Sequence, residues 1–439
     1  MSERAGTGFE IRVADWLGPR EAQRRVLERC RPLGEERVPL AEALGRALAE
    51  PVHADATLPP WDNAAMDGYA VRGEEVRGAS ATSPVALSVR GRVRAGETPE
   101  ISVGPGEAVR IMTGAPIPPG ADSVVRVEDT DAEAEPGSVR VLRDRDIGAN
   151  VRPGGQDARP GELILGAGDP IHAGTVGVLA ALGRAEVWVH VRPLVAILTT
   201  GDELRGPEAY DAVRIGAGVP ESNGPMLAAA VAAAGGVPVL LGIVPDDPEA
   251  IREAVARAAG ADMLVTVGGA SMGEADLVKR VLDGAGFRQD FWRVRMRPGS
   301  PFSFGWLPRE RREQPVFGLP GNPTSAFVTF EVFARPYLLR LAGHRQIHRR
   351  RVSCRAAEDF QTGPTALFLR VRLDTDGSAT VAHLTGPQGS GLVRGLSSAQ
   401  GLAVIPAGSV VALGDAVEVI LLDPGPGAGA ASPLEGLEA

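Results

Sequence analysis

Hydrophobic and polar positions change their rhythm along the chain. From Pro19 to Cys30 apolar residues recur at helical spacing, and Leu40-Ala41-Glu42-Ala43-Leu44-Gly45-Arg46-Ala47-Leu48-Ala49 predicts a second short amphipathic helix before Pro51. From Val85 to about Val141 the pattern shortens to β-rich runs broken by Gly and Pro, such as Leu87-Ser88-Val89, Ala108-Val109-Arg110-Ile111 and Ser123 to Val127. That predicts a small β domain. Helical spacing returns from Gly174 to Leu182, and Val187-Trp188-Val189 with Arg192-Pro193 reads as a linker into the next unit.

Between Leu194 and Gly343 strand, loop and helix alternate. Leu194 to Leu198, Val237 to Val244, Met263 to Val267 and Val316 to Leu319 are the predicted strands. Ser222-Asn223-Gly224-Pro225 caps a helix running to Gly235-Gly236, and Asp246-Asp247-Pro248 supplies an N-cap and a first-turn proline for a helix ending at Gly260. Pro320-Gly321-Asn322-Pro323 opens a helix that ends near Leu341. Units of this length predict a largely parallel sheet with helices on both faces, and ligands of such sheets sit at the carboxyl ends of the strands. After His348 short strands and turns continue to Leu422, and Gly425 to Ala439, rich in Gly, Pro and Ala, predicts a disordered tail.

At 439 residues the chain exceeds one ordinary core, so three or four domains are expected, of multidomain α/β and β class. A net charge of −9 disfavours general nucleic-acid binding and requires any anion site to be local. Cys30 and Cys354 lie far apart without metal-ligand spacing, which suits a reducing compartment. The polar start at Met1-Ser2-Glu3-Arg4 and the lack of an apolar run near ~18 residues predict a soluble, cytoplasmic protein without a membrane span.

Two runs carry the candidate chemistry: Leu198-Thr199-Thr200-Gly201-Asp202-Glu203 and Val265-Thr266-Val267-Gly268-Gly269-Ala270-Ser271-Met272-Gly273-Glu274-Ala275-Asp276. In the second, an apolar run stops at paired glycines, which let backbone N–H groups approach an anion. Ser271 with Glu274 then reads as a capping box opening a helix. The nearby carboxylates would repel a phosphate unless a hard cation such as Mg²⁺ sat between them, so a metal and a phosphorylated ligand are expected together.

Further motifs are Trp61-Asp62-Asn63-Ala64-Ala65-Met66-Asp67-Gly68-Tyr69-Ala70, Arg110-Ile111-Met112-Thr113-Gly114-Ala115, Pro153-Gly154-Gly155-Gln156-Asp157 and the arginine-dense Phe291 to Phe302. With Thr200-Gly201-Asp202-Glu203-Leu204, the Gly268 to Asp276 run and Gly318-Leu319-Pro320-Gly321-Asn322-Pro323, their order resembles the molybdopterin molybdenumtransferase family, that is, the bacterial MoeA proteins and the E domain of gephyrin, from about Pro19 to Leu422.

The resemblance implies a central molybdopterin-binding three-layer α/β domain at 191–345 and a discontinuous helix/β domain at 19–57 and 146–190. It also implies an inserted small β domain at 58–145, a C-terminal β domain at 346–423 and a tail at 424–439. It implies a homodimeric enzyme that uses Mg²⁺, takes adenylylated molybdopterin and molybdate as substrates, and releases AMP. Glu203, Asp247 and Asp276 fall at the acidic, metal-holding positions of the pterin-binding domain. Asp67, Thr113 and Asp157 fall at positions brought in by the partner subunit. Thr200, Gly201, Gly268, Gly269, Ser271, Gly273, Pro320, Gly321 and Asn322 are the loop residues expected to bind the pterin substrate, joined by Arg370 and Ser390 of the C-terminal domain. Molybdopterin adenylyltransferase and molybdoenzyme acceptors are candidate partners. Rival readings are the preceding adenylylation of molybdopterin and a non-catalytic scaffold or cofactor carrier.

Arg293 and Arg297 stand where relatives commonly carry lysines, and Ser300 where a lysine often follows Pro-Gly. If the segment is a strand, the two arginines share one face and could clamp an oxyanion, while Arg295 points outward. Either Asp246 or Asp247 could be only a helix cap. Asp62 reads as an Asx-turn residue. Met66 and Met112 read as packing, as do Trp61, Trp292 and Trp306 by default.

Overall fold

In the computed structural model, which describes residues 16–268, 277–310, 312–376 and 379–422, alternate side chains of the strand Leu194–Thr200 enter two different cores. Val195 and Ile197 join Leu227, Val231 and Phe317 on one face, while Ala196 and Leu198 join Ile251, Val255 and Val281 on the other. Successive strand residues point to opposite faces, so a continuous apolar run needs cover on both sides. The helices Asn223–Ala233 and Pro323–Thr329 cover the first face, and Pro248–Arg257 and Leu277–Gly284 the second. The three-layer α/β arrangement is therefore present.

The strand order in this six-stranded sheet is Val237–Val244, Leu194–Thr200, Met263–Val267, Glu313–Leu319, Ser303–Pro308, Arg288–Trp292. The first four run parallel, but Ser303–Pro308 is antiparallel to Glu313–Leu319 and Arg288–Trp292 is antiparallel to Ser303–Pro308. The short 309–312 connection explains the reversal, because a parallel crossover needs a dozen or more residues. Aromatic side chains fill this edge: Phe302 stacks on Phe333 with centroids 4.5 Å apart, and Trp306 meets Phe304 edge-on. Trp306 is thus a core residue.

Several local expectations are corrected. The segment 40–49 is not an amphipathic helix: only Leu40–Glu42 makes a helical turn, after which Gly45 turns at φ +76°. Leu48 N–H then donates to the Asp169 carbonyl and Ala49 N–H to that of Trp188, and these tertiary backbone bonds override helical spacing. The expected linker at 187–189 is instead the strand Glu186–His190, paired antiparallel with Glu35–Pro39. Ser222 makes no capping bond. Glu221 does so, its carboxylate accepting from Gly224 N–H at 2.8 Å. The helix after Asn322 extends to Leu341 as expected, but its middle, Phe330–Ala334, widens into a π-helical turn.

The C-terminal sheet is ordered Met296–Arg297, Ala366–Asp376, Ala379–Leu384, Arg351–Ala356, Ala416–Leu421, Gly401–Ile405, with Gly401–Ile405 pairing back on Ala366–Asp376. Its inner side holds Cys354, Leu369, Val371, Ala403 and Val419. Phe368, Leu402 and Leu422 reach instead into the core that contains Phe302 and Phe333, so the expected α/β and C-terminal domains share one core. Burying such side chains contributes roughly 1.5–3 kcal/mol each, which welds the two sheets into a single body.

These elements belong to one compact unit, made of the described residues up to Ala49, Gly168–Val176 and those from Glu186 onward; a second unit comprises Glu50–Ala167 and Gly177–Ala185. The expected small β domain falls within the second. Its five-stranded sheet runs Ser123–Arg126, Gly68–Val71, Glu107–Ile111, Val85–Val93, Ser138–Val141. Gly68–Val71, just after the Asp67 motif, is an inner strand of that sheet. Among the described residues no helix is long and apolar enough to cross a membrane.

Candidate functional site

Three loops meet at the carboxyl ends of the adjacent strands Leu194–Thr200, Met263–Val267 and Glu313–Leu319, the place where open α/β sheets bind ligands. They border a cavity of about 730 Å³ lined by Thr200, Glu203, Gly268, Pro320, Gly321 and Asn322, together with Val219, Pro220, Ser222, Asn223 and Pro301. Backbone closeness sets the glycines here. Gly268 turns at φ +95°, and a Cβ on it would lie 3.0 Å from the Thr200 carbonyl oxygen. At Gly201 a Cβ would come within 2.7 Å of Glu203 Oε2, so the carboxylate lies folded over that glycine. Glycine leaves room for peptide groups to face a ligand directly.

Glu203 is the one acidic side chain among the described residues that line the cavity. Asp247, also expected to hold a metal, caps the helix Pro248–Arg257: its Oδ1 accepts from Glu249 N–H at 3.0 Å and Ala250 N–H at 2.9 Å. The Asp246 N–H donates to Asp202 Oδ1 at 3.1 Å. Gly269, Ser271, Gly273, Glu274 and Asp276 lie outside the described residues, as does the expected tail at 424–439. Among the described residues no three carboxylate, histidine or cysteine side chains gather as a metal ligand set. One exposed carboxylate at the mouth of a backbone-lined cavity does fit Mg²⁺, which is commonly held by one or two carboxylates and substrate phosphates.

The loop between the strands Ala379–Leu384 and Gly401–Ile405 of the C-terminal sheet supplies a further wall. Gly391 and Val393 line the cavity, and Ser390 meets Asn322, whose Nδ2 donates to Ser390 Oγ at 3.1 Å. Thr324 N–H donates to the Ser390 carbonyl at 3.0 Å. Arg370, 0% exposed, sits behind this loop, its guanidinium donating to the carbonyls of Pro387, Gly389 and Leu392 and to Thr324 Oγ1. Burial pushes its pKa down, and its Nε has no hydrogen-bond partner among the described residues. The expected ligand-binding arginine is thus a cage for three loop carbonyls in this structure.

The expected arginine clamp does not form on one strand. The strand Arg288–Trp292 ends where Arg293 takes φ +77°, and Met296–Arg297 pairs with Ala366–Leu367 of the C-terminal sheet. Arg293 is 5% exposed, with its guanidinium 4.2 Å from the Trp292 ring centroid and 4.7 Å from that of Trp16. Arg297 is exposed, whereas Arg295 is half-buried rather than outward. Ser300, standing at a lysine position, donates its hydroxyl to the Met296 carbonyl and closes the turn between the two sheets.

In the second unit, the Asp67, Thr113 and Asp157 motifs are laced together by their backbones. Asn63 pairs with Arg152, Ala64 exchanges bonds with Gly114 and Ala115, and Asp157 N–H donates to the Leu58 carbonyl. Asp62 makes a tertiary tie rather than an Asx turn, its Oδ1 accepting from Gly154 N–H at 2.7 Å. Asp67 Oδ1 accepts from both the N–H and the hydroxyl of Thr113. Those two bonds, and the nearby Arg110 guanidinium, hold its carboxyl below the ordinary aspartate range. The Asp67, Thr113 and Asp157 side chains are exposed. Arg110 and Asn223 were not singled out as site residues in the sequence; the signal for each was its place inside a motif read for other residues.

Known proteins resemble this chain over most of its length. Family profiles described as "MoeA N-terminal region (domain I and II)", "Probable molybdopterin binding domain" and "MoeA C-terminal region (domain IV)" match residues 17–183, 196–340 and 353–422. A molybdopterin molybdenumtransferase 2 from Mycobacterium tuberculosis is 37% identical over 415 residues, covering 91% of this chain and 98% of the relative. A molybdopterin molybdenumtransferase from Bacillus subtilis is 33% identical over 396 residues, covering 89% of this chain and 90% of the relative. Among solved structures, a molybdopterin biosynthesis moeA protein from Pyrococcus horikoshii superposes with a TM-score of 0.78 at 29% identity, covering 93% of this chain and 100% of that one.

Proposed function

The chain belongs to the molybdopterin molybdenumtransferase family of molybdenum cofactor biosynthesis, and we propose that it inserts molybdenum from molybdate into adenylylated molybdopterin with release of AMP. The observation that carries this reading is the cavity of about 730 Å³ where Thr200, Glu203, Gly268 and the 320–322 loop converge. A phosphoanhydride is cut most readily where developing charge is neutralised and the reacting oxygens are held in line. Peptide groups of the glycine loops bind the phosphate oxygens, Pro301 and Val219 give the ring system an apolar wall, and the Ser390 loop closes the far side. Magnesium, held by Glu203 and substrate oxygens with Asp276 as a further candidate, would supply the positive charge beside the phosphates. Asp247, with one carboxylate oxygen spent on the helix cap, has only the other to offer the ion.

The same reading makes the protein a homodimer in which Asp67, Thr113 and Asp157 act on the ligand of a second copy. Arg297, Arg370 and Ser390 complete the oxyanion side, Arg370 by shaping the loop that carries Ser390. Two buried, unpaired thiols suit a cytoplasmic setting. A plain molybdopterin adenylyltransferase is the rival, and the matches to the MoeA N-terminal and C-terminal regions favour the insertion step over it. Incubation with adenylylated molybdopterin decides between them: AMP release that depends on added molybdate supports insertion, and AMP release indifferent to molybdate overturns it.

A further inference from the structure

Asn223 opens the helix Asn223–Ala233 and is 8% exposed, yet it lines the cavity. Its Nδ2 donates to the Gly321 carbonyl at 2.7 Å, across 98 residues of sequence. A carbonyl oxygen accepts only from the nitrogen end of a carboxamide, so the side chain has one orientation, and in it Oδ1 is buried with no hydrogen-bond partner among the described residues. A leucine would fill the same space without leaving a polar atom unpaired, so packing does not account for an asparagine at this position. What asparagine adds is the donor to Gly321. That peptide belongs to the loop whose next residue, Asn322, holds Ser390, and a Cβ on Gly321 would lie 3.8 Å from Gly268 Cα. One amide therefore ties the helix start to the loop at the centre of the cavity.

We propose that Asn223 is a positioning residue for the pterin substrate, fixing the Gly321 peptide so that the 320–322 loop is preset to receive adenylylated molybdopterin. This rests on the reaction assigned above. The donor does the work, and Oδ1 is its unpaired companion.

The test compares the full chain with Asn223→Ala and Asn223→Asp in thermal unfolding, equilibrium binding of adenylylated molybdopterin and molybdate-dependent AMP release. Asn223→Ala should unfold within a few degrees of the parent, because the lost bond to the exposed Gly321 and the removed unpaired oxygen offset one another, while KM for adenylylated molybdopterin rises about tenfold and kcat stays within about twofold. Asn223→Asp sets a carboxylate against the Gly321 carbonyl and should bind more weakly than the alanine variant. A parent-like KM in Asn223→Ala overturns the proposal. So does tighter binding by Asn223→Asp than by Asn223→Ala, which would mean that the oxygen reads the ligand. If instead both variants melt early and lose activity only in proportion to unfolded protein, Asn223 is a stability element and nothing more. A parent chain that releases no AMP on addition of molybdate sinks the assigned reaction itself, and the proposal with it, which is a different result from variants that match an active parent.

Discussion

Thr113 gives one oxygen of Asp67 two hydrogen bonds, from its backbone N–H and from its hydroxyl, each 2.7 Å long. Both favour the ionised carboxylate, and its pKa is lowered accordingly. A folded-state pKa below the unfolded value means that the interaction stabilises the fold above the ordinary aspartate range and is lost as pH falls through the lowered value. Thr113→Val should move the Asp67 titration upward, part of the way back to the ordinary value because the N–H bond remains. Thr113→Ser should leave it low. Carboxyl-carbon NMR across the acid range reads both, and an unmoved Asp67 in Thr113→Val would show that the hydroxyl contributes nothing.

Glu203→Gln keeps the shape of the cavity mouth but removes the acidic charge beside the glycine loops. Molybdate-dependent AMP release should fall by about a hundredfold or more, and the magnesium concentration needed for half activity should rise. Turnover close to the parent's at every magnesium level would take Glu203 out of the site.

Arg293 and Arg297 should behave as different kinds of residue. Arg293→Ala empties the gap between two indole rings and should cost about 2 kcal/mol of stability, readable by denaturant melting. Arg297→Ala, on an exposed side chain, should change stability by no more than about 0.5 kcal/mol. If Arg297 meets the oxyanion, its alanine variant needs more molybdate for half activity while binding adenylylated molybdopterin normally, and Arg297→Lys recovers part of the loss. An unchanged molybdate requirement in Arg297→Ala would remove it from the reaction.

Arg370→Leu should be among the more damaging single changes, by about 3 kcal/mol, because it deletes every guanidinium bond to the 387–392 loop and leaves the buried Thr324 hydroxyl without its donor. Arg370→Lys should rescue little, since one ammonium cannot span carbonyls that a planar fork reaches from two nitrogens. Full stability in Arg370→Lys would contradict the cage.

Inactive Asp67→Ala and Asp276→Ala chains, mixed under conditions where subunits exchange, should regain part of the parent activity. Native mass spectrometry monitors the exchange. Mixed dimers without activity would place the two aspartates' work in the same subunit.

Much of this architecture was legible in the sequence because it is written in local signals. The β-branched runs at 194–200 and 263–267 fix inner strands, and their glycine stops mark the end of the sheet where the cavity lies. What stayed hidden depends on contacts far apart in sequence. Nothing between Leu40 and Ala49 announces that Leu48 and Ala49 will bond to Asp169 and Trp188, so helical spacing there misled. The arginines at 293 and 297 look like one strand face until a left-handed residue sends the chain from one sheet to another. Arg370 was expected at the ligand by its place in the family resemblance, and only the fold shows that its two terminal nitrogens donate to the 387–392 carbonyls and to Thr324.

The widened turn at Phe330–Ala334 sets the rotational phase of everything that follows it. A π turn holds one more residue than the α turn it replaces, so it amounts to a single-residue insertion tolerated within a helix. Upstream, Ser325, Ala326 and Thr329 are buried; downstream, Tyr337, Leu338 and Leu341 are. Deleting one residue here would restore ordinary helical winding but swing the later set about 100° around the axis, since each residue of an α-helix advances by that angle. Tyr337 would then leave the aromatic cluster around Phe304 and Phe317. Chain length through this helix is therefore a tighter constraint than residue identity at most of its positions, and insertions or deletions should be accepted in the connection after Leu341 far more readily than between Pro323 and Leu341.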